Sequence, residues 1–119
     1  MTLVSGALLG ILEEAGLAIM TMTEDIEADE FFASRITQQE TLRQMRVMAE
    51  TVSNIPEVIS HQMIEIDWTA WRVLRSQLVS GENAGRDALW FGVRSLVPAT
   101  LMWLRFYRTK TPELFSYTA

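Results

Sequence analysis

Apolar residues in this chain recur at steps of three and four, the spacing that gathers them on one face of an α-helix. From about residue 2 to 22, Leu8, Ile11, Leu12, Ala15, Ile19 and Met22 mark a first helix, closed by the cap-and-turn cluster Thr23-Glu24-Asp25. Asp29-Glu30-Phe31-Phe32 reads as a short helical turn that sets an aromatic pair on the core. A second long helix is expected from about 36 to 54, with Leu42, Met45, Met48, Ala49 and Val52 as its apolar stripe. It should stop before Pro56, because the residue ahead of a proline disfavours helical backbone. Residues 55–66 read as a connection holding at most one helical turn.

Asp67 can cap the next helix, about 67 to 79, where Trp68, Trp71, Leu74 and Leu78 share one face. Arg72 and Arg75, three residues apart, share another. Gly81 and Gly85 bracket an expected loop, and Asp87 then falls in the first turn of the last helix, where its charge suits the dipole. That helix should run to about 107 with Leu89, Trp90, Val93, Leu96, Val97, Leu101 and Leu104 inward. Pro98 should bend it, and the tail from about Thr109 should fray. The expectation is one all-α domain over 1–119, an up-and-down bundle of four to five helices.

Composition agrees with one such domain: 119 residues bury a single core, and 49% apolar content is too high for disorder. The absence of cysteine excludes disulfides, thiolate catalysis and cysteine-based metal sites, and it suits a reducing, cytoplasmic setting. The apolar run Leu3 to Leu12 has no basic leader, and Glu13-Glu14 interrupts it short of the roughly 20 residues that span a bilayer, so no membrane segment is expected. The net charge of −5 argues against a protein that coats nucleic acid. Its distribution says more. Residues 1–40 hold eight acids against Arg35 alone, and residues 72–110 hold seven bases against Glu82 and Asp87. Such polarity can steer an anion to one face, or pair with an acidic partner; solvated helix surfaces would look the same.

The candidate chemistry lies at the break between the last two long helices, Leu74-Arg75-Ser76-Gln77-Leu78-Val79-Ser80-Gly81-Glu82. This stretch resembles the active-site turn of the HepT-like toxin family of the HEPN superfamily. Thr37-Gln38-Gln39 on the second helix, Ile66-Asp67-Trp68 at the start of the third, and Asp87-Ala88-Leu89-Trp90 followed by Leu96-Val97-Pro98 are similar to further elements of that family, in order, over about residues 8–105. The resemblance implies a HEPN-like bundle that dimerises through its active-site helices. It also implies a small nucleotidyltransferase as antitoxin partner, and a metal-independent ribonuclease site made of an arginine, four intervening residues and a histidine.

Arg75 matches the arginine, but Ser80 stands where the histidine would be. In the family the partner attaches AMP to a tyrosine two residues further on; that position is Glu82 here. Metal-free RNA cleavage needs a base for the 2′-hydroxyl proton and a cation for the developing phosphorane charge. Arg75 can supply the cation. Ser80 cannot replace histidine, because its hydroxyl does not titrate near neutral pH. The expectation is therefore a dimeric, cytoplasmic partner of a nucleotidyltransferase whose ribonuclease activity is lost or weak, with Arg72, Glu82 and Arg86 as candidate contacts to RNA or partner.

Alternatives remain at this level: an active ribonuclease with a rewired site using Arg75 and Arg72 with a base such as His61 or Glu82, or a structural or ligand-binding helical protein with no link to RNA. Arg75 and Arg72 can equally form ion pairs across the bundle or a dimer seam. The lone His61 lies outside the matching segment, and the tryptophans read as core. No motif calls for a metal or cofactor.

Overall fold

The structure is a computed structural model that describes the backbone of residues 3–80 and 82–116 and the side chains of residues 5–79 and 85–116. Every regular element among these residues is helical. The helices are α1 (Leu3–Thr23), α2 (Ala28–Ala33), α3 (Arg35–Asn54), α4 (Glu57–Ser60), α5 (Trp68–Ser80), α6 (Glu82–Phe91) and α7 (Val97–Lys110). A π-helical stretch, Gly92–Leu96, joins α6 to α7, and a 3₁₀ turn, Pro112–Phe115, follows α7. The all-α bundle is as expected. α1 lies along α3 and α7, α5 packs against α3 and α6, and α2 folds onto α3. The molecule is elongated, 45 × 27 × 21 Å.

Local capping explains several boundaries. Ser34 Oγ accepts from the Thr37 amide at 3.3 Å and starts α3. Asp67 Oδ1 accepts from the Ala70 amide at 2.9 Å and starts α5, as its position suggested. At the end of α1, Thr23 Oγ1 donates back to the Ile19 carbonyl at 2.7 Å.

The core takes the expected stripes of α3 and α5: Met45, Met48, Ala49 and Val52 face Trp71, Leu74 and Leu78, all buried, with Leu42 partly so. Trp71 is fully enclosed, and its indole N–H donates to Thr100 Oγ1 at 3.0 Å, so its one polar atom is satisfied inside the core. Phe31 is buried and Phe32 half-buried, which places the aromatic pair on the core. The expected stripe of α1 is met at Leu12, Ala15 and Ile19 and missed at Leu8, Ile11 and Met22. Leu9, Leu12, Ala15 and Ile19 are buried, Leu8 and Met22 only partly, and Ile11 is 43% exposed. The first ten residues carry no charge to mark an outer face, so periodicity alone left Leu8, Leu9 and Ile11 hard to tell apart.

The boundary between α5 and α6 differs from expectation. The loop expected between Gly81 and Gly85 is shorter, because α6 begins at Glu82 and Gly85 lies within it. Asp87 is therefore the sixth residue of α6 and not in its first turn. Pro98 is carried without breaking the helix: the Val97 amide bonds the Gly92 carbonyl in an i→i+5 pattern. The ladder thus widens into a π turn beside the proline that cannot donate. A Cβ on Gly92 would lie 2.8 Å from Met45 Cε, so this turn packs closely against the Met45 side chain of α3.

The tail does not fray at 109. α7 continues to Lys110, and Pro112–Phe115 folds back so that Leu114 and Phe115 are buried against α1 and α7. A Cβ on Gly6 would lie 2.2 Å from the Ser116 carbonyl oxygen, which is how closely this segment approaches α1. Arg108 pairs with Glu13 at 2.5 Å across the same seam, one place where the basic C-terminal half meets the acidic N-terminal half. By length and hydropathy alone, Ser5–Thr23 could cross a membrane, yet 44% of that stretch is buried inside the bundle.

Candidate functional site

α3 and α5 together present the candidate site, because their packed faces leave a charged edge at the surface. The Arg75 Nη2 atom lies 2.6 Å from Glu50 Oε2, bridging the last two turns of α3 to the middle of α5. Both side chains are about half exposed, 49% and 59%, so water screens the pair. This is the ion pair across the bundle that was open to Arg75 from the sequence. Arg46, Ala49, Leu78 and Val79 surround the two charges in a hollow of about 310 Å³.

A larger groove, about 660 Å³, begins at Arg46 and Leu78 and runs toward the start of α3. Its charged lining is Arg35, Arg46 and Arg86, with Gln38 and Gln39 between them; Leu42, Leu78 and Leu89 form its apolar part. Gln38 Nε2 donates to the Phe32 carbonyl at 2.9 Å and the Ser34 carbonyl at 3.3 Å, which fixes the α2–α3 corner. The Arg86 guanidinium lies 4.0 Å from the centroid of the Phe32 ring. Phe32 is braced by Phe31 at 5.0 Å and by Trp90 at 5.9 Å, and Arg94 lies over Trp90 at 4.6 Å. Aromatic support thus holds Arg86 in place at the groove edge.

Of the residues singled out in the sequence, Arg75 and Arg86 lie along these two connected hollows. Ser80 ends α5 and Glu82 begins α6; their side chains lie outside the described residues. Arg72 is exposed on α5 and lines neither hollow, and His61, at the C-terminal end of α4, is also exposed and lines neither. Glu50, Arg46 and Arg35 were not anticipated as site residues. Their signal was present, since positions 35, 39, 42, 46 and 50 follow the three- and four-residue steps of one helical face.

Among the described residues no group of three or more His, Cys, Asp or Glu side chains gathers as a metal site would require. A second polar contact lies away from this edge. The Tyr107 hydroxyl donates to Glu65 Oε1, tying the loop before α5 to α7. That hydrogen bond holds the Glu65 carboxyl below its usual range and pushes the Tyr107 phenol above its own.

Comparison with known proteins is sparse. The chain is 31% identical over 61 residues to a Methanocaldococcus jannaschii protein named "Putative RNase MJ0127"; the match covers 51% of this chain and 50% of that protein. The chain thus spans about half the length of the curated relative it matches. No family model matches it, and no solved structure does.

Proposed function

We propose that this chain is a ribonuclease-like helical domain of the HEPN type, HepT-like in its motif, that has kept the phosphate-binding side of its site and lost most of its acid–base chemistry. The observation that carries this reading is Arg75. It stands at the surface beside a connected basic groove, while the position five residues on is Ser80 and the chain's single histidine lies elsewhere. The similarity to a protein named as an RNase supports the general class. Arginine can stabilise a pentavalent phosphorane, but no step begins without a group to take the 2′-hydroxyl proton.

Such a domain acts as a binding partner more than as a nuclease. The resemblance makes that role dimeric and pairs it with a small nucleotidyltransferase, for which Arg72, Glu82 and Arg86 are contact candidates. Restoring the missing group tests the reading. Ser80→His should give metal-independent RNA cleavage, measured in EDTA, that Arg75→Ala removes. Co-purification with a nucleotidyltransferase encoded beside it tests the partner role, and sedimentation tests the dimer.

The Arg75–Glu50 contact favours one second reading, a rewired active ribonuclease in which Glu50 takes the proton. Cleavage by the unmodified chain that Glu50→Gln abolishes would establish it in place of the first.

A further inference from the structure

We infer that the groove along α3 is a single-strand RNA-binding track, with Arg35, Arg46 and Arg86 holding successive phosphates and Arg86 offering a stacking plane to a base. The choice of RNA rests on the ribonuclease-like reading above; the choice of a single strand rests on the groove itself. Among the described residues its lining contains three arginines and no carboxylate, in a chain whose net charge is −5. None of the three makes an ion pair among the described residues, whereas Arg43, Arg75 and Arg108 each do. A basic lining left unpaired in an acidic chain concentrates polyanions at one place.

Arg35 and Arg46 are eleven residues apart on one helix, about 16 Å along its axis, a length for a few nucleotides. Between them Gln39 is exposed and can meet base edges or ribose, while Gln38 is committed to the corner. Single-stranded recognition combines a positive groove with a plane on which bases stack. The Phe32 ring is covered by the Arg86 guanidinium, so the guanidinium presents that plane. A duplex keeps its base faces hidden in its own stack and cannot use it. The track shares Arg46 and Leu78 with the hollow of Arg75 and Glu50, so a strand lying in it leads to the candidate site.

The test is fluorescence anisotropy of the full chain with a labelled, unstructured 12-nucleotide mixed-sequence RNA, and with the matching 12-base-pair duplex, across a salt series. The single strand should bind more tightly than the duplex. Arg35→Ala, Arg46→Ala and Arg86→Ala together should weaken single-strand binding at least about 30-fold and lower the salt slope by about 2, near 0.7 per phosphate contact. Arg86→Lys should keep the slope and still lose affinity, through lost stacking. Arg105→Ala, an exposed arginine on α7 outside the track, is the control and should change neither.

Unchanged binding in the triple variant, an equal loss in Arg105→Ala, or preference for the duplex overturns the track. All three residues are exposed, so the variant should fold, and a circular-dichroism melt checks this. Cleavage by Ser80→His that ignores the three arginines overturns the track and leaves the ribonuclease-like reading standing. Strand binding through them with no cleavage in Ser80→His supports the track and overturns that reading.

Discussion

Glu50→Gln separates a structural arginine from a phosphate-binding one. In the folded chain Glu50 holds Arg75 at 2.6 Å, with both side chains about half in water. Exposed ion pairs of this kind contribute about 0–1 kcal/mol, so removing the charge should lower the melting temperature by no more than about 5 °C. The effect on an anion is larger. A phosphate bound to the free side of Arg75 would stand about 6 Å from the Glu50 carboxylate. Coulomb's law puts that repulsion between about 0.7 kcal/mol in water and about 3 kcal/mol at an effective dielectric of 20. At physiological salt the screening length is about 8 Å, which favours the lower part of this range.

Glu50→Gln should therefore bind the 12-nucleotide RNA about 3- to 10-fold more tightly, with the gain shrinking as salt rises. In an Arg75→Ala background most of the gain should vanish. Anisotropy titrations of the four proteins at 50 and 150 mM salt would measure this. Unchanged or weaker binding in Glu50→Gln would refute a phosphate role for Arg75 and leave the ion pair as a surface clasp.

Two further predictions concern the scaffold. Gly6→Ala should destabilise the fold by about 2–4 kcal/mol in denaturant unfolding, because the new methyl meets the Ser116 carbonyl and displaces the segment that buries Leu114 and Phe115; an unaltered midpoint would contradict that packing. The Tyr107–Glu65 contact should make stability depend on pH at both extremes. The Tyr107 phenol is raised in the folded chain, so its contribution is full below about pH 10 and is lost as pH climbs through the raised value; Glu65 is lowered, so its contribution is present above about pH 4.5 and is lost as pH falls through the lowered value. Tyr107→Phe should remove the alkaline loss in pH-dependent melts, and an unchanged profile would count against the contact.

The bundle was legible in the sequence wherever apolar stripes were flanked by charge. α3 and α5 were placed to within a residue or two because Arg43, Arg46, Arg72 and Arg75 mark their outer faces. α1 lacks such markers over its first ten residues, and there Leu9 is buried in place of Leu8 and Ile11 is exposed, while Leu12, Ala15 and Ile19 are buried as expected. The π turn beside Pro98 sets Gly92 against Met45, a contact between segments 47 residues apart that no local pattern reports. The folded tail depends likewise on Gly6.

Arg75 could be read from its motif, and Arg86 was named as a contact candidate. The Glu50 partner and the Arg35–Arg46 line could not be assigned, since a charge at helical spacing looks the same whether it faces a groove or open solvent. Tertiary placement by α2 and α6 turned that line into a groove wall.

RNA cleavage by the purified chain in EDTA, beside Ser80→His, addresses the central claim most directly. The account predicts little or no cleavage by the unmodified chain, and at least about a 100-fold rise in Ser80→His that Arg75→Ala removes, as restoring a positioned acid–base group should give. Efficient cleavage by the unmodified chain, strongly reduced by Arg75→Ala, would contradict it.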